Sequence, residues 1–538
     1  MSANSVETSV EKINNQWQFW IDRGGTFTDI VAQNPDGEII VHKLLSENPD
    51  RYNDAPIQGI RDILGLSQHQ AIPIEQIAAI KMGTTVATNA LLERKGDRTV
   101  LAITKGFRDA LRIGYQNRPN IFAREIVLPE MLYEQVIEIE ERHSAQGEVL
   151  IALNEDLAVI ELQKAYDMGI RSCAIALVHS YRYPHHEQRL AAIATQIGFT
   201  QISVSHQISS LIKFISRADT TVVDAYLSPI LKRYVDRITA ELNKPPSPSP
   251  KVEEGDKTLS LMFMQSNGGL TEAQSFQGKN SILSGPAGGI VGAVQTSLQA
   301  GFQKIISFDM GGTSTDVAHY AGSYERSLST EVAGVRLSTP MMAIHTVAAG
   351  GGSLLFFDGA RYRVGPESAG AFPGPACYCN GGNLAVTDCN VMLGKLQPDF
   401  FPKVFGKDGN LPLDRQIVIE KFRELAQTIS QATGQVTLPE AVAQGFLEIA
   451  VEKMASAIKK ISVQRGYDVS EYVLCCFGGA GGQHACAIAD VLGMTQVFIH
   501  PYAGVLSAYG IGLADIRTIR DRSVELELNL ELLAELEI

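Results

Sequence analysis

Two runs of apolar residues, at positions 17–21 and 305–308, each end in a similar series of polar residues and glycines. Residues 22–29 read Asp-Arg-Gly-Gly-Thr-Phe-Thr-Asp, and residues 309–316 read Asp-Met-Gly-Gly-Thr-Ser-Thr-Asp. The apolar runs predict buried strands, and the paired glycines predict tight turns at the strand ends. Six of the eight positions are identical, an agreement that a given window would reach by chance about once in ten million. The sequence therefore predicts two equivalent strand-and-turn units.

The residue types in these two turns suit a phosphate group. Successive backbone N–H groups form a concavity that binds anions, and Thr hydroxyls add further donors. The predicted phosphate-binding residues are Gly24, Gly25, Thr26 and Thr28 in the first turn and Gly311, Gly312, Thr313 and Thr315 in the second. Asp22 and Asp309 are the predicted catalytic and metal-binding residues, holding Mg²⁺ directly or through water. Either turn alone is equally consistent with an ordinary hairpin, but the matched pair favours a polyphosphate held from both sides.

A third glycine-rich turn follows the apolar run at residues 472–477. It opens a predicted helix, and a strand, turn and helix N-terminus in this order let a flat ring or a ribose lie against bare backbone. The predicted nucleoside-binding residues are Gly478, Gly479, Gly481 and Gly482. The pattern is not G-x-G-x-x-G, because His484 stands where the last glycine would fall, and the chain has no Walker A sequence.

Candidate substrate-binding residues lie in two further segments. An apolar strand at 77–80 leads into a hydroxyl-rich turn and a helix, so Thr84, Thr85 and Asn89 are predicted to contact an anion or a substrate, although simple helix capping explains them as well. Arg112 and Arg118 could bind a carboxylate, and the alternative is that they are solvated surface charges.

Other polar residues give weaker signals. His345 precedes a glycine-rich stretch and is a candidate general acid or base, or else a histidine that only makes structural hydrogen bonds. His179, His185 and His186 lack the H-E-x-x-H pattern, so no metal site is predicted there. The cysteines at 377, 379 and 389 cluster without zinc-ligand spacing, which favours buried thiols.

Composition narrows the class of protein. Hydrophobic residues at 45% and charged residues at 20% are typical of a soluble globular chain, and a net charge of −13 argues against a nucleic-acid surface. No apolar run reaches the roughly 18 residues that a membrane span needs. Seven cysteines and no visible secretory signal favour reduced thiols in the cytoplasm. Residues 1–16 are predicted to be a flexible tail, and the Pro/Ser-rich stretch at 243–257 a surface loop or linker.

The two Asp-x-Gly-Gly-Thr-x-Thr-Asp units with the late glycine turn resemble the nucleotide-binding superfamily of sugar kinases, actin and chaperone ATPases. Residues 83–94, 284–289, 363–370 and 373–378 narrow the match, because they are similar to motifs of the hydantoinase A / 5-oxoprolinase family. The resemblance implies a two-lobed α/β fold of the actin and sugar-kinase (ribonuclease H-like) type, with a nucleotide cleft between the lobes. It implies one lobe at 17–225, a second at 226–522, and the start of a truncated region at 523–538.

Within the family, Arg23 and residues 43–49 are similar to the ATP-dependent 5-oxoprolinase branch. The resemblance implies ATP and Mg²⁺ as cofactors, admits a monovalent cation, and implies phosphorylation of 5-oxo-L-proline to open its lactam to L-glutamate. Relatives carry a hydantoinase B-like half, so a split or truncated protein with that partner is expected, as is an oligomer. The alternatives are the ATP-using subunit of an N-methylhydantoinase or ketone carboxylase, and a nucleotide-dependent switch protein without a small substrate.

Overall fold

A six-stranded sheet, here called the first sheet, carries the first of the two predicted turns. The computed structural model describes residues 16–48, 51–68, 70–116, 122–244, 259–527, 529 and 532. The strands of the first sheet lie in the order Leu270–Glu272, Ser260–Met264, Ile77–Thr84, Trp17–Arg23, Phe27–Gln33 and Ile39–Leu45. Trp17–Arg23 pairs in antiparallel fashion with Phe27–Gln33, so residues 24–26 form the hairpin loop between them.

The second turn lies in a five-stranded sheet, the second sheet. Its strands lie in the order His345–Val347, Thr315–Ala321, Lys304–Met310, Val473–Phe477 and Gln496–Phe498. Lys304–Met310 pairs in antiparallel fashion with Thr315–Ala321, which places Asp309 opposite Asp316. In the first sheet Asp22 lies opposite Asp29. The two hairpins are therefore equivalent in register as well as in sequence, as predicted.

A four-stranded parallel sheet, the third sheet, forms a separate layer. Its strands lie in the order Gln201–Val204, Ser172–Ala176, Thr99–Thr104 and Gln135–Ile139. Four two-stranded ribbons complete the described strands: Arg142–His143 with Val149–Ile151, Arg326–Ser327 with Met341–Met342, Thr330–Val332 with Val335–Leu337, and Ser353–Phe357 with Tyr362–Ser368.

The α-helices pack around these sheets. Their bounds are Ala55–Leu64, Val86–Leu92, Ala110–Ile113, Glu155–Asp167, His185–Ile197, Ser205–Ile208, Phe214–Leu242, Ser284–Gln299, Val386–Met392, Arg415–Thr433, Pro439–Ile461, Ala485–Leu492 and Leu506–Leu513. Among the described residues, no helix combines the length and apolarity that crossing a bilayer requires.

Two helices, Ser284–Gln299 and Leu506–Leu513, link the first and second sheets. One hydrophobic cluster contains residues of both helices together with Met264 of the first sheet and Phe477 of the second. The helix backbones approach closely, because a Cβ placed on Gly510 would lie 2.1 Å from the carbonyl oxygen of Gly288. Only glycine permits this approach. The pair is therefore a tightly packed connection between the two lobes.

The first sheet contains strands from both sides of the predicted boundary at 225/226. That boundary falls inside the helix Phe214–Leu242, and the strand Ser260–Met264 pairs with Ile77–Thr84 in the first sheet. These two strands are far apart in sequence, so no local sequence pattern could reveal that they pair. All of the predicted flexible tail except residue 16, most of the predicted linker and most of residues 523–538 lie outside the described residues.

Candidate nucleotide-binding cleft

The first hairpin loop is held from behind by the neighbouring strand. The amide of Gly24 donates to the carbonyl oxygen of Phe27 at 3.0 Å, which closes the turn. Ser46 supports it twice, because its amide donates to the Thr26 oxygen at 2.9 Å and its hydroxyl to the Gly24 oxygen at 2.7 Å. Gly25 and Thr26 are left exposed at the tip, where their N–H groups can meet an anion.

The second hairpin loop rests on a separate run of three glycines, residues 350–352. The amides of Gly351 and Gly352 donate to the carbonyl oxygens of Gly311 and Gly312 at 3.1 and 2.6 Å. A Cβ on Gly350 would lie 2.6 Å from the Gly312 oxygen, so this backbone contact requires glycine. Gly312 and Thr313 remain exposed at the tip.

The second Thr of each motif supports its loop through hydrogen bonds to other groups of the protein. Thr28 is fully buried, and its hydroxyl lies 3.0 Å from that of Ser46. Thr315 is also fully buried, and its hydroxyl donates to the carbonyl oxygen of Ala349. Both side chains therefore support the loops from their buried side. The exposed tips consist of Gly25, Thr26, Gly312 and Thr313.

The two hairpins open onto one cavity of about 180 Å³. The first sheet contributes Asp22, Asp29 and Lys43, and the second hairpin contributes Asp309 and Gly311. The remaining walls come from Phe477, Gly478, Gly479 and residues 503–507. The predicted meeting of the two turns at a shared cleft is thus present in the structure.

The carboxylates of this cavity are crowded. The pKa of Asp22 is raised to about 7, chiefly because the carboxyl is buried, with Asp29 raising it further and Lys43 lowering it. Burial, followed by the charges of Asp316, Asp22 and Asp29, raises the pKa of Asp309 to about 8. Lys43 forms an ion pair with Asp29, which partly offsets the effect of burial on the pKa of that carboxyl.

These carboxylates fit a magnesium ion. Oδ1 of Asp22 is buried and has no hydrogen-bond partner in the described structure. Gly83 and Gly285 leave the space around it, since a Cβ on either would lie 3.1 or 2.9 Å from this oxygen. An unpartnered buried carboxylate oxygen is costly, and oxygen ligands are those that Mg²⁺ prefers. Asp22, and Asp309 across the same cavity, are therefore suited to hold the ion.

The third glycine turn divides into two parts. Gly478 and Gly479 line the cavity, and Gly482 is exposed with open space where a Cβ would be. Gly481 instead faces the core, where a Cβ would lie 2.8 Å from the sulfur of Cys476. Residues 503–507, which the sequence did not single out, complete this wall. These residues have the same sequence pattern as the third glycine turn. A turn containing Gly504 follows the strand Gln496–Phe498 and precedes the helix Leu506–Leu513.

The predicted substrate residues Thr85 and Asn89 lie beside the first hairpin loop. The amide and hydroxyl of Thr85 both donate to the carbonyl oxygen of Arg23, at 3.1 and 3.2 Å. Asn89 Nδ2 lies 3.8 Å from the position of a Cβ on Gly25. Thr84 is fully buried and exchanges hydrogen bonds with Ser284 at 3.2 and 2.9 Å. These residues connect the loop to the start of the helix Ser284–Gln299.

The other predicted site residues lie elsewhere. His345 pairs with Val317, whose side chain belongs to the core on the opposite sheet face from Asp309 and Asp316. Burial, with the charges of Lys460 and Arg465, lowers the pKa of His345. Arg112 is exposed and is not a lining residue of the cavity. Arg118 lies outside the described residues.

The cysteine cluster is explained by packing. Cys377 and Cys389 are fully buried, and Cys379 is partly exposed. Asp388 organises this region by accepting hydrogen bonds from the amides of Ala376, Cys377 and Ala385 at 3.0, 2.9 and 2.8 Å. The predicted buried thiols are thus found at two of the three positions.

The matched hairpins, the shared cleft and the linking helices define a two-lobed α/β fold of the actin and sugar-kinase ATPase class. A solved structure of an ATP-dependent caprolactamase from Pseudomonas jessenii superposes with a TM-score of 0.78 at 31% identity, covering 93% of this chain and 71% of that one. A nucleotide-free acetone carboxylase superposes with a TM-score of 0.72 at 25% identity, covering 93% and 70%. These similarities confirm the predicted fold class.

The chain belongs to the hydantoinase/oxoprolinase family. The family model for hydantoinase/oxoprolinase matches residues 217–520, and the model for its N-terminal region matches residues 18–198. A 5-oxoprolinase from Dictyostelium discoideum is 44% identical over 94% of this chain. This chain spans 43% of the length of that relative. The predicted family membership is confirmed.

Proposed function

We propose that this chain binds MgATP in the cleft and uses it to activate 5-oxo-L-proline for ring opening to L-glutamate. The observation that carries the proposal is the shared cavity, in which Asp22 and Asp309 approach from the ends of two equivalent hairpins. The 44% identity with a 5-oxoprolinase supports the choice of reaction.

Different parts of the cleft would bind different parts of MgATP. The exposed loop tips, with Gly25, Thr26, Gly312 and Thr313, would bind the phosphates. Asp22 and Asp309 would hold Mg²⁺, and Gly478, Gly479 and Gly482 would lie against the nucleoside. When bound, MgATP supplies the phosphoryl group that activates the lactam oxygen. The chain's contribution is positioning and neutralisation of charge, which dominate catalysis of phosphoryl transfer.

The lactam would bind beside the first hairpin loop. Asn89 lies next to Gly25, and Thr85 is fixed to the strand that carries Asp22. Their amide and hydroxyl groups could orient a cyclic amide close to the terminal phosphate. We therefore propose Thr85 and Asn89 as substrate-positioning residues, with Thr84 holding their backbone.

In this proposal, the complete reaction also requires a second protein segment. The chain covers 43% of the 5-oxoprolinase relative, and the caprolactamase relative is named as a subunit alpha. A hydantoinase B-like half or subunit would then complete the hydrolysis of the activated lactam. The caprolactamase match, at 32% identity over 71% of that subunit, also favours a second candidate: the ATP-using subunit of an enzyme for a different cyclic amide.

ADP release by the purified chain with Mg²⁺ tests these alternatives. We expect release to rise with 5-oxoproline more than with caprolactam, hydantoin or acetone. Preference for one of the other compounds would support the second candidate, and equal release with all of them would favour a nucleotide switch without a small substrate.

Variants at the cleft test whether any turnover belongs to this site. Asp309→Ala should abolish ADP release, with a loss of at least about 100-fold, while its circular dichroism spectrum stays that of the unmodified protein. Asp408→Ala, at an exposed position, should release ADP normally. Full ATPase activity in folded Asp309→Ala would contradict the assignment.

A further inference from the structure

A cluster of metal-ligand side chains lies beside the third sheet, whose strands do not line the nucleotide cleft. Glu141, His143 and His186 each offer one ligand atom, and these atoms all lie within 4.8 Å of one another. All three residues are buried, with relative exposures of 2%, 6% and 6%. Two imidazoles and a carboxylate are a recognised ligand set for zinc.

The topology explains how these residues meet. Glu141 follows the strand Gln135–Ile139, and His186 lies in the first turn of the helix His185–Ile197, which follows the strand Ser172–Ala176. Both strands run parallel to Thr99–Thr104, so the cluster lies at the carboxyl edge of the sheet, where open α/β sheets usually bind ligands. Glu141 and His143 are two residues apart in extended chain and can face the same side.

The distances between the ligand atoms suit a tetrahedral ion. Four ligands at about 2.1 Å from zinc lie about 3.4 Å from one another. Oε2 of Glu141 is 2.8 Å from Nδ1 of His186 and 3.7 Å from Nδ1 of His143. The two imidazole rings lie with their centroids 4.1 Å apart. Zinc binding would require the Glu141–His186 pair to open by about 0.6 Å, whereas the Glu141–His143 distance is already within about 0.3 Å of the ideal value.

The groups around Glu141 also favour the binding of a cation by its carboxylate. The other oxygen of Glu141 accepts a hydrogen bond from the hydroxyl of Thr104, which fixes the orientation of the carboxylate. Such outer hydrogen bonds are typical of metal sites. Within the described part of the chain, the salt bridges of Glu141 are to these two histidines and to no lysine or arginine. A buried carboxylate without a permanent positive partner is costly.

We propose that Glu141, His143 and His186 bind a divalent cation of the zinc class, with water in the fourth position. The ion ties the ribbon Arg142–His143 to the start of the helix His185–Ile197. It is separate from the magnesium ion proposed for the nucleotide cleft, because imidazole ligands favour zinc and carboxylate oxygens favour magnesium.

Metal binding by the whole chain, purified without a histidine tag, tests the proposal. After dialysis against EDTA and then against Zn²⁺ with excess Mg²⁺, we expect about one zinc per chain. Zinc should also raise the midpoint of thermal unfolding by about 3 °C or more. Absence of retained zinc would overturn the proposal and leave Glu141 and His186 as a hydrogen-bonded pair.

Matched variants locate the ion. His143→Ala and Glu141→Gln should lose the zinc, whereas His185→Ala should keep it, because His185 is exposed beside the cluster but contributes no ligand atom to it. Equal zinc retention in all three variants would overturn the assignment.

Cobalt gives a signal that does not depend on the folding of a variant. Co²⁺ bound to the unmodified chain should show tetrahedral d–d absorption without a thiolate charge-transfer band. Such a band would instead place the ion on an exposed cysteine such as Cys486 and overturn the proposal.

Discussion

Asp22 and Asp309 occupy the same position in two hairpins from different sheets, and both line one cavity. Each lies opposite a second aspartate across its strand pair, Asp29 in the first hairpin and Asp316 in the second. Lys43 is the one cationic side chain among the residues that line this cavity. The cleft therefore has an excess of carboxyl groups over cationic groups, and a magnesium ion would favour the ionised forms of these carboxyls.

This excess makes the stability of the ligand-free protein depend on pH. The pKa of Asp309 is about 8 in the folded chain and about 4 when unfolded. The folded state binds the extra proton between these values, so its stability falls as pH rises through that window. Asp309→Asn cannot ionise, so we expect it to melt about 3 °C or more above the unmodified protein at pH 9 and close to it at pH 5.

Thermal melts without divalent ions across this pH range give the comparison. Asp408→Asn, at an exposed position, should follow the unmodified protein at each pH. Parallel melting curves for Asp309→Asn and the unmodified chain would show that the carboxyl of Asp309 is not destabilising.

Lys43 should set the pH at which the cleft accepts magnesium. Its charge lowers the pKa of both Asp22 and Asp29, so Lys43→Gln raises both values. We expect MgATP to bind about fivefold more weakly to this variant at pH 7, and nearly normally at pH 9 where the carboxyls are ionised. Calorimetric titrations at the two pH values measure this.

Lys105→Gln is the control for Lys43→Gln, because Lys105 is exposed and pairs with Glu140 outside the cleft. A loss of affinity in Lys43→Gln that is the same at both pH values would contradict the electrostatic explanation and indicate a direct contact with the nucleotide.

Gly350 should control nucleotide affinity although it is not a lining residue of the cavity. Alanine there would place a Cβ 2.6 Å from the oxygen of Gly312 and push the second loop out of position. Because misplaced loops lose well-oriented contacts, we expect Gly350→Ala to bind MgATP at least about tenfold more weakly. Gly359→Ala has an unfavourable positive φ of 94° but open space, so it should cost about 1 kcal/mol of stability and leave affinity unchanged.

Gly510 should matter for stability because it lies where the two linking helices meet. A Cβ there would lie 2.1 Å from the Gly288 oxygen, so Gly510→Ala should lower the free energy of unfolding by about 2 kcal/mol or more. Gly301→Ala, after the end of the same helix as Gly288, meets nothing within 4 Å and should cost about 1 kcal/mol. Urea unfolding that ranks the two variants in the opposite order would contradict this.

The sequence predicted the parts of the cleft that are local. The hairpins around Asp22 and Asp309 could be recognised because strand, turn and strand are contiguous, and because the turn residues repeat. The role of Gly350 could not be predicted, since it depends on backbone contact with Gly312 from a segment that follows the strand His345–Val347. The directions of the Thr28 and Thr315 hydroxyls likewise depend on partners that strand pairing brings near.

Two histidines illustrate the same limit of prediction from sequence. The glycines that follow His345 make it a candidate general acid or base, but the strand register places it on the sheet face away from Asp309. His186 belongs to no helical metal motif, and the residues proposed to bind an ion with it, Glu141 and His143, lie about 45 residues earlier in the chain. Patterns of spacing can identify ligand sets on one element, but not side chains from separate elements that meet at a sheet edge.

The pairing of Ser260–Met264 with Ile77–Thr84 has a consequence for biosynthesis. Until the ribosome has made the strand Ser260–Met264, Ile77–Thr84 has one hydrogen-bonding edge without its partner strand, and exposed edges of this kind invite intermolecular association. The nascent N-terminal segment is thus most vulnerable to aggregation before residue 264 emerges, and a fragment ending before residue 259 would keep that vulnerability permanently.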